Sequence, residues 1–155
     1  MNSQEQQGKT MIYGIGTDMV SISRLQKALD RWGDRFAERI LGPDEMVRFK
    51  DRRQRVPLRG LRYLATRYAA KEAFSKAVGL GMRGPMTWLS VQFLNARSGK
   101  PEPFCRKAMK GYMEEHGLKA QVSMTDESDF AMAFVVIEKV DQPSRTQHDD
   151  NVNDR

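Results

Sequence analysis

The chain has 155 residues, 39% hydrophobic and 30% charged, with a net charge of +6 and a sequence pI near 9.6. That length suits one domain with its own core, and that balance excludes both a disordered chain and a disulfide-stapled miniprotein. A single cysteine, Cys105, rules out an internal disulfide and points to a reducing compartment, the cytoplasm. The longest apolar runs, such as Phe134 to Ile137, are far too short to span a bilayer. Residues 1–10 lack the apolar stretch of a secretory signal.

Residues 1–10 read as a flexible arm, 11–140 as one domain, and 141–155 as a polar, disordered tail. Met11 to Val20 predicts a buried strand in which Gly14 and Gly16 allow close backbone approach. The third glycine of a dinucleotide fingerprint is missing. Asp18, at the end of that strand, either caps the next turn or ligates a metal. A helix follows from Ser21 or Ser23 to Trp32, then a helical turn or two over 34–41, then a third helix opened by Pro43-Asp44-Glu45.

Arg52 to Pro57 reads as a basic loop leading into a long helix over 62–77. That helix is apolar on two faces, which places Glu72 inside. A buried carboxylate needs a cation, several hydrogen bonds or a proton. Lys76 offers an i,i+4 ion pair, and a metal ion is the alternative. Beyond the Gly-rich stretch to Gly84-Pro85, Trp88 to Leu94 reads as a strand and Ser98 to Pro101 as a turn. Phe104 to Gly117 reads as an amphipathic helix. Residues 119–125 and 130–140 form a hairpin across the polar turn Asp126 to Asp129.

Charge is unevenly placed. From Arg48 to Arg83 eleven lysines and arginines stand against Asp51 and Glu72, a local net of +9. Such an excess favours nucleic acid, a phosphorylated cofactor or an acidic protein. The aromatics there (Phe49, Tyr63, Tyr68, Phe74) fall mainly on apolar helix stripes, and no nucleic-acid motif is visible. With only His116 and His148, a histidine-based triad and a zinc site are both disfavoured, and Cys105 reads as a small core hydrophobe. The available tools are carboxylates, lysines, arginines and a hard metal, the parts of phosphoryl-type chemistry.

Gly14-Ile15-Gly16-Thr17-Asp18, Phe36 to Leu41 and Arg67 to Ala77 closely resemble the bacterial holo-acyl-carrier-protein synthases, the small 4'-phosphopantetheinyl transferases. Gly99-Lys100-Pro101 and Val122 to Thr125 match in the same order. The resemblance implies an α+β domain, an antiparallel sheet packed with a long central helix, assembled as a homotrimer with active sites between subunits. It implies Mg²⁺ held by Asp18 and Glu72, with coenzyme A as substrate and Lys76 near its phosphates. Arg67 matches an arginine assigned to the coenzyme A phosphates, and Gly99, Lys100 and Pro101 match a loop near the adenosine. Arg24, Arg35 and Arg39 match the basic face that docks the acidic helix of acyl carrier protein. Arg67 and Lys71 are expected to extend the basic field around Lys76.

The implied reaction moves 4'-phosphopantetheine from coenzyme A to a carrier serine, releasing adenosine 3',5'-bisphosphate. Catalysis would be mostly positioning and electrostatics. The serine needs a base, for which a metal-bound water and Glu72 acting through such a water are the two candidates. One departure stands out: Thr125-Asp126-Glu127 occupies the place where many members carry a Ser/Thr-His-Thr. Two acids there would repel the 3'-phosphate of coenzyme A unless they face away or a cation mediates. A basic nucleic-acid-binding module and a non-catalytic carrier binder are the rival readings. A mere binder has no need of the set Asp18, Glu72 and Lys76.

Overall fold

In a computed structural model, residues 9–141 are described; all of the predicted tail over 141–155 but Asp141, and all but the end of the predicted arm, lie outside them. The chain runs β1 (Thr10–Ser21), α1 (Ile22–Trp32), α2 (Asp34–Ile40), α3 (Pro43–Arg55), α4 (Pro57–Val78) and β2 (Val91–Asn95). It continues through β3 (Pro101–Cys105), α5 (Lys107–Glu115), β4 (Leu118–Asp126) and β5 (Phe130–Val140). Three strands form an antiparallel sheet in the order β1-β5-β4, and β2 pairs with β3 in a separate antiparallel ribbon. The class is α+β, as expected.

The central helix lies across the three-stranded sheet because the sequence removes side chains where they meet. Gly14 and Gly16 on β1 face Ala77 and Ala73 on α4. A Cβ on either glycine would overlap the carbonyl oxygen of the opposing alanine. From β5, Ala131, Ala133, Val135 and Ile137 point the same way and are buried, as strand alternation requires. Gly16→Ala is therefore expected to lower stability by about 3 kcal/mol, read from the urea midpoint, because backbone cannot yield as a side chain would. An unchanged midpoint would mean that strand and helix do not touch there.

Three local expectations are corrected. The stretch Arg52 to Pro57 is no loop: α3 continues to Arg55, Val56 alone is extended, and Pro57 opens α4. Proline suits the first helical turn because its missing N–H costs nothing there. The strand expected over 88–94 begins later, at Val91. Phe104 and Cys105 belong to β3 and not to a helix; two prolines are tolerated there because β3 is an edge strand of its ribbon.

The strand expected to be buried, β1, is covered on one face only. Ile15 and Met19 are 60% and 61% exposed, and across the register Phe130, Met132 and Phe134 of β5 are exposed beside them. The outer face of the sheet is thus an open apolar surface.

Candidate active site

Almost every position of α4 from Gly60 onward is buried; beyond Arg62, the exceptions are Tyr68, Glu72 and Lys76. They stand four residues apart and form a single open stripe. This corrects the placement of Glu72, which is half-buried at the surface of the helix and not inside it. Its carboxylate has no hydrogen-bond or ion-pair partner among the described residues. Burial, then the nearby Asp18 carboxylate, hold it above the ordinary glutamate range, with Lys76 and Arg24 opposing.

Asp18 comes to this stripe from β1, through the glycine contacts that bring the strand against α4. Lys76 does not pair with Glu72 as an i,i+4 neighbour. Its ammonium lies 3.2 Å from Asp18 Oδ1 and donates to Thr17 O at 2.9 Å. Two carboxylates thus converge from different elements, one carrying a lysine and the other unpaired.

No group of three or more His, Cys, Asp or Glu side chains able to hold a metal exists among the described residues. Two carboxylates fit Mg²⁺ better than they fit zinc or calcium. Magnesium takes one or two carboxylates and completes its shell with water and substrate phosphates, whereas calcium wants more oxygens and zinc wants nitrogen or sulfur.

Arg67 sits elsewhere. Five positions before Glu72 it lies on a different side of α4, and it is buried, donating to Phe93 O at 3.1 Å and Asn95 Oδ1 at 2.7 Å. One edge of it reaches an open cleft of about 610 Å³ that Arg52, Arg55, Arg59 and Arg62 also line. Gly99 and Pro101 border the same cleft, Gly99 with a positive φ of 88° that favours glycine in this turn. The side chain of Lys100 turns away toward Gln121, at 3.5 Å. Asp126 lines the cleft as well, but Arg62 stands 3.7 Å from it. A cation therefore does offset one of the two acids expected to repel a phosphate.

Lys71 is removed from the basic field altogether. It is completely buried and paired with Glu45, also completely buried, at 2.6 Å. Burial pushes the amine below the ordinary lysine range, and Glu45 opposes that shift. Glu45 signals itself only weakly in the sequence, as the third residue after Gly42; its carboxylate reaches back to Gly42 N at 2.9 Å, as in half of a capping box. Cys105 is the inert hydrophobe expected, its thiol pushed up to about 11 by burial. The aromatics Phe49, Tyr63 and Phe74 are core residues and offer no stacking platform.

Arg24 on α1 and Arg35 and Arg39 on α2 are exposed. Arg24 acts electrostatically on both Tyr68 and Glu72, which puts it beside the open stripe. Arg39 rims an apolar cavity of about 530 Å³ walled by Phe36, Ile40, Tyr68, Trp88 and Leu89. Tyr68 and Trp88 pack ring to ring there, with centroids 4.8 Å apart. Neither Trp88 nor this cavity was visible in the sequence, where Trp88 reads as an ordinary strand residue.

Residues 14–135 match the 4'-phosphopantetheinyl transferase superfamily. A holo-[acyl-carrier-protein] synthase of Herminiimonas arsenicoxydans is 57% identical over 129 residues, 83% of this chain and 99% of that protein. The crystal structure of a holo-[acyl-carrier-protein] synthase from Neisseria meningitidis superposes with a TM-score of 0.77 at 44% identity, covering 83% of this chain and all of that one. The Helicobacter pylori enzyme of the same name, solved in complex with coenzyme A, gives 0.67 at 30% identity over 79% of this chain and 98% of its own. With this extent of similarity to the motifs, the helix and the sheet together, the chain belongs to the 4'-phosphopantetheinyl transferase superfamily, among its holo-[acyl-carrier-protein] synthases.

Proposed function

We propose that residues 11–140 transfer the 4'-phosphopantetheine of coenzyme A to a serine of apo-acyl carrier protein, in the cytoplasm. The observation that carries this reading is the convergence of Asp18 and Glu72 at one open stripe of α4 beside an ammonium, Lys76. Asp18 and Glu72 would hold Mg²⁺, which when bound neutralises charge on the pyrophosphate. Lys76 would leave Asp18 for the phosphate oxygens, where it offsets the negative charge that grows on the leaving group. The carrier serine oxygen gives its proton to a water and forms a bond to the phosphorus that bears the pantetheine arm, and the bond from that phosphorus to the bridging oxygen breaks. Adenosine 3',5'-bisphosphate departs with the bridging oxygen.

The arginine cleft suits the remaining phosphate and the adenosine, with Arg52, Arg55, Arg59, Arg62 and Arg67 as the cationic lining and Gly99 to Pro101 as its border. Arg67 holds three protein acceptors already, Phe93 O, Asn95 Oδ1 and Thr66 Oγ1, so its part there is chiefly to shape the wall. The cleft and the Asp18–Glu72 stripe occupy different sides of α4, and one coenzyme A touching both would pass between two copies of the chain. The open apolar face over Ile15, Met19, Met132 and Phe134 supplies the surface such a homotrimer needs. Sedimentation should give a trimer, and Met19→Lys should yield smaller species with little activity.

Mixing the protein with coenzyme A, Mg²⁺ and a cognate apo-carrier should add the mass of one phosphopantetheine to the carrier, and chelation of the metal should abolish that gain. No gain from the folded protein would end the proposal. Arg39→Glu should raise the carrier KM roughly tenfold at low salt and less at high salt, because an exposed charge is screened. An unchanged carrier KM at low salt would remove Arg39 from the docking face. No helix among the described residues is long and apolar enough to cross a membrane.

A further inference from the structure

The contacts of Lys71 reach well beyond α4. Its ammonium donates to Glu45 Oε1 at 2.6 Å, Ile40 O at 2.5 Å and Trp88 O at 2.8 Å, which fills its three donor positions. Glu45 is also fully engaged, accepting from Gly42 N at 2.9 Å and, through Oε2, from Phe93 N at 3.0 Å. Such a pair is poor grounds for stability alone, because apolar residues of similar volume often serve as well. What apolar residues cannot do is tie two backbone carbonyls to one atom.

The two carbonyls belong to separate segments that meet at one place. Ile40 ends α2 and Trp88 lies just before β2, and both line the apolar cavity beside Arg39. Tyr68, three residues before Lys71, forms another wall and packs against the Trp88 ring. We propose that Lys71 is a positioning residue for carrier-protein recognition, fixing the spacing of α2 and the Trp88 segment and so the shape of the cavity under Arg39. Glu45 is its counter-ion, which makes the buried ammonium tolerable. The proposal rests on the reading of the Arg39 face as the carrier's docking surface.

The test is a pair of variants assayed beside the wild-type protein for both KM values, kcat and Tm. Lys71→Met combined with Glu45→Gln removes both buried charges and both carbonyl bonds. The carrier KM should rise about tenfold or more while the coenzyme A KM stays within about twofold, a split that a general loss of folded protein does not give. Glu45→Gln alone removes the counter-ion but leaves the Lys71 nitrogen with N–H donors for both carbonyls. It should lower Tm yet keep the carrier KM within about threefold of wild type. A folded double variant with unchanged carrier KM, or a fall in all parameters together, overturns the assignment. If the double variant does not fold, Glu45→Gln still decides: a tenfold rise in its carrier KM would take the positioning role away from Lys71. Absence of transfer by the wild type would instead overturn the function reading itself.

Discussion

Glu72→Gln is expected to lower the transfer rate about a thousandfold, the upper range for removing one electrostatic group from an active site, without unfolding the protein. The carboxylate makes no hydrogen bond or ion pair among the described residues, and only its backbone oxygen is used, accepting from Ser75 Oγ at 2.7 Å. Gln keeps the size and loses the charge. The sign of the stability effect follows from the direction of the shift. A carboxyl held above its unfolded value by burial and by Asp18 weakens the fold as pH rises through the unfolded and then the folded pKa. At neutral pH the metal-free variant should therefore melt no lower than wild type. Added Mg²⁺ should raise the Tm of wild type by mass action and leave the variant unmoved. The readouts are carrier mass gain for rate and calorimetry with and without Mg²⁺. Full activity at the same Mg²⁺ would remove Glu72 from the ligand pair. Asp18→Asn is a less direct probe, because Asp18 also anchors Lys76.

The parts of this architecture that the sequence reveals are those in which the local pattern and the tertiary environment agree. The glycines at 14 and 16 announce a close approach, and α4 supplies it through Ala73 and Ala77. The hairpin of β4 and β5 follows from alternation around a polar turn. Glu72 is picked out correctly as an unusual carboxylate but placed too deep. A helix with apolar residues on two faces can still leave one narrow stripe open, and periodicity does not say which stripe a neighbouring element leaves uncovered. Lys71 is the opposite error. In sequence it is one more cation in a basic run, yet its counter-ion lies 26 positions away on α3. The arginine cleft escapes a sequence reading for the same reason, since it forms only when the α3–α4 corner meets the turn before β3. Likewise the paired rings of Tyr68 and Trp88 join positions 20 residues apart through an irregular segment.

Lys71→Met, made alone, should cost about 3–5 kcal/mol of unfolding free energy, because it strands a carboxylate where no water reaches it. Both Lys71 and Glu45 have side chains with no exposed area, and their contact is not screened by solvent or by salt. Glu45 retains its two backbone donors, Gly42 and Phe93, in the variant, so the loss is one of charge compensation and not of every hydrogen bond. The carbonyls of Ile40 and Trp88 lose their shared donor at the same time, and each such loss adds to the cost. Adding Glu45→Gln should recover much of the stability, since it removes the charge that the first substitution left uncompensated. That non-additivity, measured as the difference between the double variant and the two single ones in urea unfolding, separates a coupled pair from two independent packing defects. If the two losses simply add, the ion pair carries no energy of its own and α2, α3 and α4 are held together by their apolar contacts alone.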